Sequence, residues 1–87
     1  MKLSKLLKNK LHRDIIKFFH ENQSSIDTPR GVATWIKGER TKVKKALDKL
    51  VETGILMDHK VSSTTGYSYT RNKKLIKAIG KKLKSER

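Results

Sequence analysis

Apolar residues recur at intervals of three and four along the first quarter of the chain. The series consists of Leu3, Leu7, Leu11, Ile15, Phe18 and Phe19. Between them lie the basic residues Lys5, Lys8, Lys10, Arg13 and Lys17, so an apolar and a basic face alternate with the period of an α-helix. The pattern predicts a helix over residues 3–22, which is either continuous or divided into two helices near Asn9.

A second, shorter helix is predicted over residues 29–37. Asp27, Thr28 and Pro29 are typical of a helix start. A Thr or Asp side-chain oxygen can accept hydrogen bonds from the free amides of the first turn, and proline suits the first helical position. Gly38 is expected to take the left-handed conformation that ends the helix.

A third helix is predicted over residues 40–53. Its apolar positions share one face of the helix and consist of Val43, Ala46, Leu47, Leu50 and Val51. Charged residues, most of them lysine, occupy the opposite face, which is therefore expected to meet solvent or a ligand. Gly54 follows and is expected to end this helix.

The residues after Gly54 have the pattern of a β-hairpin, predicted over residues 55–70. Its strands are expected at 55–61 and 67–70, joined by a polar turn at 62–66. A lone hairpin is marginally stable, so this one must pack against the helices.

The last predicted helix covers residues 72–84, with Thr70 or Asn72 as its cap. Lysines occupy one face and apolar residues the other. Gly80 lies inside the helix, where glycine costs roughly 1 kcal/mol relative to alanine, so the final turns are expected to fray.

Composition narrows the range of functions. The chain has 87 residues, 22 Lys and Arg against 8 Asp and Glu, a formal net charge of +14 and no cysteine. This length suits one domain, and the missing cysteine excludes thiolate metal and redox chemistry. The longest apolar run is residues 55–57, far below the ~18 residues of a membrane span, and no secretory signal is present. We therefore expect a cytoplasmic, nucleoid-associated protein without a membrane partner. Its large positive charge indicates that it binds a polyanion.

The order of elements and particular residues resemble the winged helix-turn-helix DNA-binding family of small prokaryotic, archaeal and viral transcriptional regulators. The resemblance lies in the segment Ala33-Thr34-Trp35-Ile36-Lys37-Gly38, followed by Val43, Leu47, Leu50, Gly54, Ile55 and Leu56. Tyr69-Thr70 resembles the end of the second wing strand in small repressors. The resemblance implies a mostly α, α+β fold in one domain over residues 1–87: a three-helix core, a C-terminal β-hairpin wing and an extra C-terminal helix.

The family's mode of binding implies a set of DNA contacts for this chain. The third helix would enter the major groove and the wing would lie on the DNA backbone. The candidate DNA-binding residues are Arg30, Arg40, Thr41, Lys42, Lys44, Lys45, Lys49, Lys60, Arg71 and Lys73. Arg40 is the candidate base reader, because its guanidinium can pair with two acceptors of guanine, whereas lysines suit phosphates. For any single lysine, a merely solvated surface is an equal alternative.

Two other functions compete with DNA binding. Parts of the segment between Gly38 and Asn72 also resemble a winged-helix family of small-subunit ribosomal proteins, which makes RNA an alternative polyanion. The basic amphipathic ends of the chain also suit a module that binds proteins or a membrane surface.

The terminal helices carry more apolar residues than a three-helix core requires. These are Leu3, Leu6 and Leu7 near the N-terminus and Ile76, Ile79 and Leu83 near the C-terminus. They predict a homodimer through both terminal helices, which would present two recognition helices ~34 Å apart to a palindromic site.

No pattern indicates catalysis, a cofactor or a metal. The chain lacks a glycine-rich phosphate loop, an HExxH motif and a nucleophile elbow, so we expect a non-enzyme. His12, His20 and His59 do not have metal-ligand spacing. Trp35 is expected to pack in the core. Of Tyr67 and Tyr69, one is expected to cover the core while the other could reach a phosphate.

Overall fold

Asn9 divides the N-terminal helical pattern into two helices, α1 (Leu3–Lys8) and α2 (Lys10–Glu21). Its backbone is extended, and its side-chain Oδ1 accepts a hydrogen bond from the amide of His12 at 3.1 Å. Asn9 is therefore the N-cap of α2, and the two-helix alternative is the correct one. The computed structural model describes residues 3–85, so the outermost two residues at each end of the predicted domain lie outside the described range.

The remaining elements follow the order of a helix-turn-helix with a wing. They are β1 (Ile26–Asp27), α3 (Pro29–Ile36), α4 (Arg40–Glu52), β2 (Leu56–Val61), β3 (Thr64–Tyr69) and α5 (Lys73–Ser85). Thr28 caps α3 by accepting from the Gly31 amide at 3.2 Å, and Asn72 caps α5 by accepting from the Leu75 amide at 3.1 Å. Gly54 ends the α4 region with a φ of 84°, as its position predicted.

Gly38 does not have the predicted left-handed conformation. Lys37 adopts it instead, with φ 57° and ψ 43° at the C-cap of α3. The structure gives glycine a different role at position 38: a Cβ there would lie only 3.0 Å from Cγ2 of Val43, tighter than an ordinary van der Waals contact. The missing side chain therefore allows the end of α3 to approach α4 closely.

The strands form an antiparallel sheet in the order β1-β3-β2. The hairpin register runs from Leu56 opposite Tyr69 to Val61 opposite Thr64, so only Ser62 and Ser63 form the turn. The predicted turn at 62–66 was too long, because its last three residues belong to β3. Strand β1 was not predicted. It contributes two residues, which pair with Ser68 and Tyr67.

The core lies where α2, α4 and the sheet meet. Its largest fully buried side chains include Tyr67, Tyr69, Phe19, Leu7, Ile15, Ile16, Leu47, Leu50 and Ile79. Leu7 and Ile79 are therefore unavailable for the predicted dimer contact, whereas Leu3, Leu6, Ile76 and Leu83 are only partly buried. Both tyrosines belong to the core, so the expectation that one reaches a phosphate is wrong.

The prediction that Trp35 packs in the core is also wrong. Its side chain is 70% exposed, and its ring centroid lies 6.1 Å from that of Phe18. The buried face of α3 is centred between Val32 and Ala33, and Trp35 lies roughly 110° around the helix from that centre. Trp35 therefore covers the edge of the core from outside.

Helix α5 continues past Gly80 to Ser85. A Cβ at Gly80 would come within 3.3 Å of Cε1 and Nε2 of His20, so the glycine lets α5 lie against the imidazole of α2. Within residues 3–85, no helix is long and apolar enough to cross a bilayer.

Candidate nucleic-acid interface

Three elements meet around one concave surface of about 610 Å³, which we call the basic cleft. The cleft is lined by Thr28, Pro29 and Arg30 from the start of α3, by Arg40, Thr41, Lys44 and Lys45 from α4, and by Thr64 from β3. The start of α3, the start of α4 and the first residue of the returning wing strand therefore share one surface. The lining residues include four cations and no carboxylate.

The two helix N-termini add partial positive charge to the cleft. Thr28 satisfies the Gly31 amide at the start of α3. Glu39, the N-cap of α4, makes no side-chain cap hydrogen bond. The first-turn amides of α4 are therefore not capped by the Glu39 side chain, and a helix N-terminus attracts anions. Arg40 is the first residue of α4 and is exposed beside these amides.

Lys44 is already engaged within the protein. Its Nζ donates to Oδ2 of Asp48 at 2.6 Å, and the hydroxyl of Tyr67 donates to Oδ1 of the same carboxylate at 2.6 Å. Lys44 Nζ also lies 5.8 Å from the centre of the Tyr67 ring. These contacts join α4 to β3. The charge of Lys44 is thereby partly compensated within the protein.

The pKa values in this cluster reflect the contacts. Desolvation works to raise the pKa of Asp48, but the hydrogen bonds from Lys44 and Tyr67 outweigh it and hold the pKa below its ordinary value. The hydrogen bond to Asp48 raises the pKa of Lys44, and desolvation followed by the Asp48 contact raises the pKa of Tyr67. At neutral pH the cluster therefore consists of a carboxylate, an ammonium group and a neutral phenol.

Lys42 and Lys49 lie on the other flank of α4. They are seven residues apart and so face nearly the same direction. Lys49 lies close enough to His12 of α2 to affect it electrostatically. Burial of His12, and then the positive charge of Lys49, lower the pKa of His12. These two lysines are exposed but do not line the basic cleft.

The wing has cations behind its tip and none at the tip itself. Ser62, Ser63 and Thr64 are exposed, and Lys60 lies opposite Thr65 in the register. Arg71 and Lys73 are exposed beyond the far end of β3, which spans roughly 17 Å. The sequence-predicted residues therefore form two groups. Five line the cleft: Arg30, Arg40, Thr41, Lys44 and Lys45. The other five lie outside it: Lys42, Lys49, Lys60, Arg71 and Lys73.

Thr28, Pro29 and Thr64 line the cleft without having been candidates. The capping signal at residues 28–29 marked a helix N-terminus, which is an anion-binding feature, and could have identified the first two. Thr64 could not have been found, because its place in β3 depends on a shorter turn than the sequence predicted.

No cluster of three or more metal-ligating side chains is found in the part of the chain that the structure describes. Ser68 Oγ and His59 Nε2 are joined by a hydrogen bond of 2.7 Å across the hairpin. His59 therefore has a structural partner within the wing.

No protein-family model matches the sequence, and a search of curated proteins finds no significant match. Solved structures do resemble the fold. One is a homodimeric winged helix-turn-helix DNA-binding domain from Mycobacterium bovis, a possible ArsR-family transcriptional regulator. Its TM-score is 0.71 at 14% identity, with 90% of this chain and 68% of that chain covered.

Two further structures give similar results. A possible transcriptional regulator for arsenical resistance has a TM-score of 0.69 at 14% identity, with 98% of this chain and 79% of that chain covered. A possible transcriptional regulator from Methanosarcina mazei Go1 has a TM-score of 0.66 at 18% identity and the same coverage of 98% and 79%. This chain therefore has the winged helix-turn-helix fold, and the predicted fold class is confirmed.

Proposed function

We propose that this winged helix-turn-helix protein binds double-stranded DNA in the cytoplasm as a small transcriptional regulator, and that it acts through binding rather than catalysis. The observation that carries the proposal is the basic cleft, in which the starts of α3 and α4 and the beginning of β3 bring four cations together. The regulators with similar structures support the same function.

In this proposal α4 enters the major groove by its N-terminal end. Arg40 is the base reader, because it is exposed at the first position of the helix and its guanidinium can pair with O6 and N7 of guanine. Thr41 and Lys45 lie one and five positions further along the exposed side, where they meet a thymine methyl or a phosphate. Arg30 and the first-turn amides of α4 hold a phosphate beside the cleft.

The wing lies along the DNA backbone but contributes little positive charge, because its tip carries no lysine or arginine. The hydroxyls of Ser62, Ser63 and Thr64 donate to phosphate oxygens, and Lys60 supplies a cation behind them. Lys42, Lys49, Arg71 and Lys73 contact phosphates further from the reading site. Such contacts position a protein on DNA but carry little sequence information.

We further propose that the protein acts as a homodimer through the α1–α5 end of the molecule. The domain from Mycobacterium bovis is described as homodimeric. Leu7 and Ile79 are occupied by this chain's own core. Of the partly buried residues Leu3, Leu6, Ile76 and Leu83 that remain, we place the contact between copies around Leu3 and Leu6 of α1. A dimer would present two copies of α4 to a palindromic site.

Selection of bound sequences from a random duplex pool tests the proposal directly. We expect enrichment of a palindromic consensus that contains guanine at the Arg40 position of each half-site. The parallel control measures affinity for structured RNA at the same salt concentration. An unenriched pool, or tighter binding to RNA than to the selected duplex, would overturn the proposed function.

A further inference from the structure

A second concave surface of about 720 Å³ lies between α2 and α5, and we call it the helical groove. Ile76 and Leu83 form its apolar floor, and its lining shares no residue with the basic cleft. His20 lines this groove and contacts Tyr69 at the last position of β3, whereas Thr64 of the cleft is at the first position of that strand. The two surfaces are therefore distinct and are separated by roughly the 17 Å length of β3.

Cations dominate both sides of the helical groove. Arg13 and Lys17 line it from α2, and Lys77, Lys81 and Lys84 line it from α5. Glu21 is the one carboxylate among the described lining residues. A second copy of this chain bound there through its own groove would place like charges opposite each other, which is unfavourable. The charge of the groove instead favours an anionic occupant.

The groove also contains a polar side chain held in one orientation. His20 Nδ1 and the hydroxyl of the buried Tyr69 are 3.0 Å apart, and the two rings meet edge to face. The Cε1–Nε2 edge of the imidazole lies against α5 at Gly80. Glycine inside a helix lowers helix stability, and here it leaves the space that the imidazole occupies.

We propose that the helical groove binds a small organic anion with an apolar body, such as an aryl carboxylate. The apolar body packs on Ile76 and Leu83, and the acid group pairs with lysines at the groove edge, including Lys81. Its volume is in the range of sites that hold small ligands, which combine an apolar lining with a few polar groups. A free phosphate would contact only the cations of the groove, and a neutral hydrocarbon would contact only its apolar floor.

The second part of the proposal rests on the DNA-binding function proposed above. The ligand lies against His20, which contacts Tyr69 at one end of β3, and Tyr67 of the same strand contacts Asp48 of α4. Displacement of His20 would therefore disturb the end of β3, the wing strand that Tyr67 connects to α4. The groove would act as an effector site for the basic cleft.

Direct binding is tested by NMR titration of the ¹⁵N-labelled protein at an ionic strength of about 0.15 M, which screens non-specific attraction. The probe is 2-naphthoate, and the comparison compounds are naphthalen-2-ylmethanol and inorganic phosphate. We expect saturable shifts of the His20, Ile76 and Gly80 amides with 2-naphthoate, and binding weaker by roughly tenfold or more with either comparison compound. Equal binding of the alcohol or of phosphate would overturn the proposal, as would shifts confined to other elements.

A matched pair of variants locates the acid group. Lys81→Glu and Lys74→Glu make the same charge change on exposed positions of α5, but only Lys81 lines the groove. We expect Lys81→Glu to weaken 2-naphthoate binding roughly tenfold and Lys74→Glu to leave it within about twofold of the wild type. Equal effects would overturn the site. Sedimentation of both variants tests whether a second copy of the chain occupies the groove instead. A change in dimerisation with Lys81→Glu alone would show that the groove is a contact between copies and would overturn the ligand site.

The effector role has its own measurement. DNA affinity is determined with and without saturating 2-naphthoate, and we expect a change of roughly tenfold in the wild type that is lost in Lys81→Glu. Binding in the groove with unchanged DNA affinity would overturn the effector role alone. Absence of DNA binding under all conditions would refute the proposed function, while the NMR titration would still decide whether the groove binds the anion.

Discussion

The hydroxyl of Tyr67 donates a hydrogen bond to Oδ1 of Asp48 at 2.6 Å, and this contact joins the wing to the helix that carries the candidate base reader. The phenol is buried, while the side chain of Asp48 is 51% exposed. Lys44 binds the other oxygen of the same carboxylate. Wing and helix are thus connected by a polar contact in addition to the apolar core.

We expect Tyr67→Phe to destabilise the protein by about 1 kcal/mol, because the ring remains in place while Asp48 loses a hydrogen-bond donor at a partly solvated site. Urea unfolding followed by circular dichroism measures the change. Asp48→Asn is the companion variant, since it keeps an acceptor for Tyr67 but removes the ion pair with Lys44. Equal stability of Tyr67→Phe and the wild type would show that the hydrogen bond makes no net contribution.

Stability should also depend on pH through His12. Burial, and then the positive charge of Lys49, lower the pKa of His12 below 6.5. The folded protein therefore binds this proton less readily than the unfolded chain does. The corresponding stability is fully present above pH 6.5 and is lost as the pH falls through the lowered folded-state pKa.

We expect the free energy of unfolding to decrease from about pH 7.5 to about pH 5, and to decrease less in His12→Gln. The other two histidines are retained in the variant, so the difference between the two curves isolates His12. Lys49→Gln should give an intermediate curve, because it removes the second cause of the shift. Parallel curves for the wild type and His12→Gln would contradict this assignment.

Trp35→Ala should be well tolerated. The side chain is 70% exposed, so its removal leaves no cavity in the core, and we expect a loss of about 1 kcal/mol or less. Phe19→Ala is the contrasting variant, because Phe19 is fully buried and such truncations cost about 3–5 kcal/mol. Thermal or urea unfolding of both variants decides the point. A loss at Trp35 as large as that at Phe19 would place the indole in the core after all.

Arg40→Ala and Lys73→Ala should affect DNA binding in different ways. Arg40 lines the basic cleft and Lys73 does not. We expect the first variant to lose about 1–3 kcal/mol of preference for the selected base, and the second to weaken all duplexes equally. Affinities are measured for the selected site and for single-base changes at several salt concentrations. Equal, sequence-independent losses would exclude Arg40 as a base reader.

The helices could be predicted from sequence because their signals are local. A period of three to four residues and the capping residues Thr28, Asn72 and Gly54 mark them without reference to the rest of the chain. Strand β1 has no such signal. Two residues are too few to show alternation, and Ile26–Asp27 is recognisable as a strand only through its pairing with β3.

The errors at Trp35 and Gly38 have the same origin. Trp35 shares a helical face with Val32 by spacing. Because Ala33 is also buried, the buried face of α3 is centred between residues 32 and 33, away from Trp35. Gly38 was interpreted as a cap, whereas its role is to allow the approach of Val43. In both cases the decisive neighbour belongs to the three-dimensional packing, which spacing along one helix does not reveal.

The candidate site was only partly predictable for a related reason. Charge and helix position identify Arg40, Thr41 and Lys45 as members of an outer face. They do not show that Lys44 is paired with Asp48 and Tyr67, nor that Thr64 approaches the start of α4. These relationships depend on how the wing folds back onto α4.

The close approach at Gly38 has a consequence for evolution and for design. Because Gly38 has no Cβ, the end of α3 packs closely against Val43 of α4, although Glu39 makes no capping hydrogen bond at the start of that helix. Exposed residues of α4 that make no internal side-chain contact of this kind, such as Arg40, Thr41 and Lys45, can be exchanged without disturbing this packing. A library that varies those positions while retaining Gly38, Val43, Lys44 and Asp48 would sample new binding preferences on an unchanged frame.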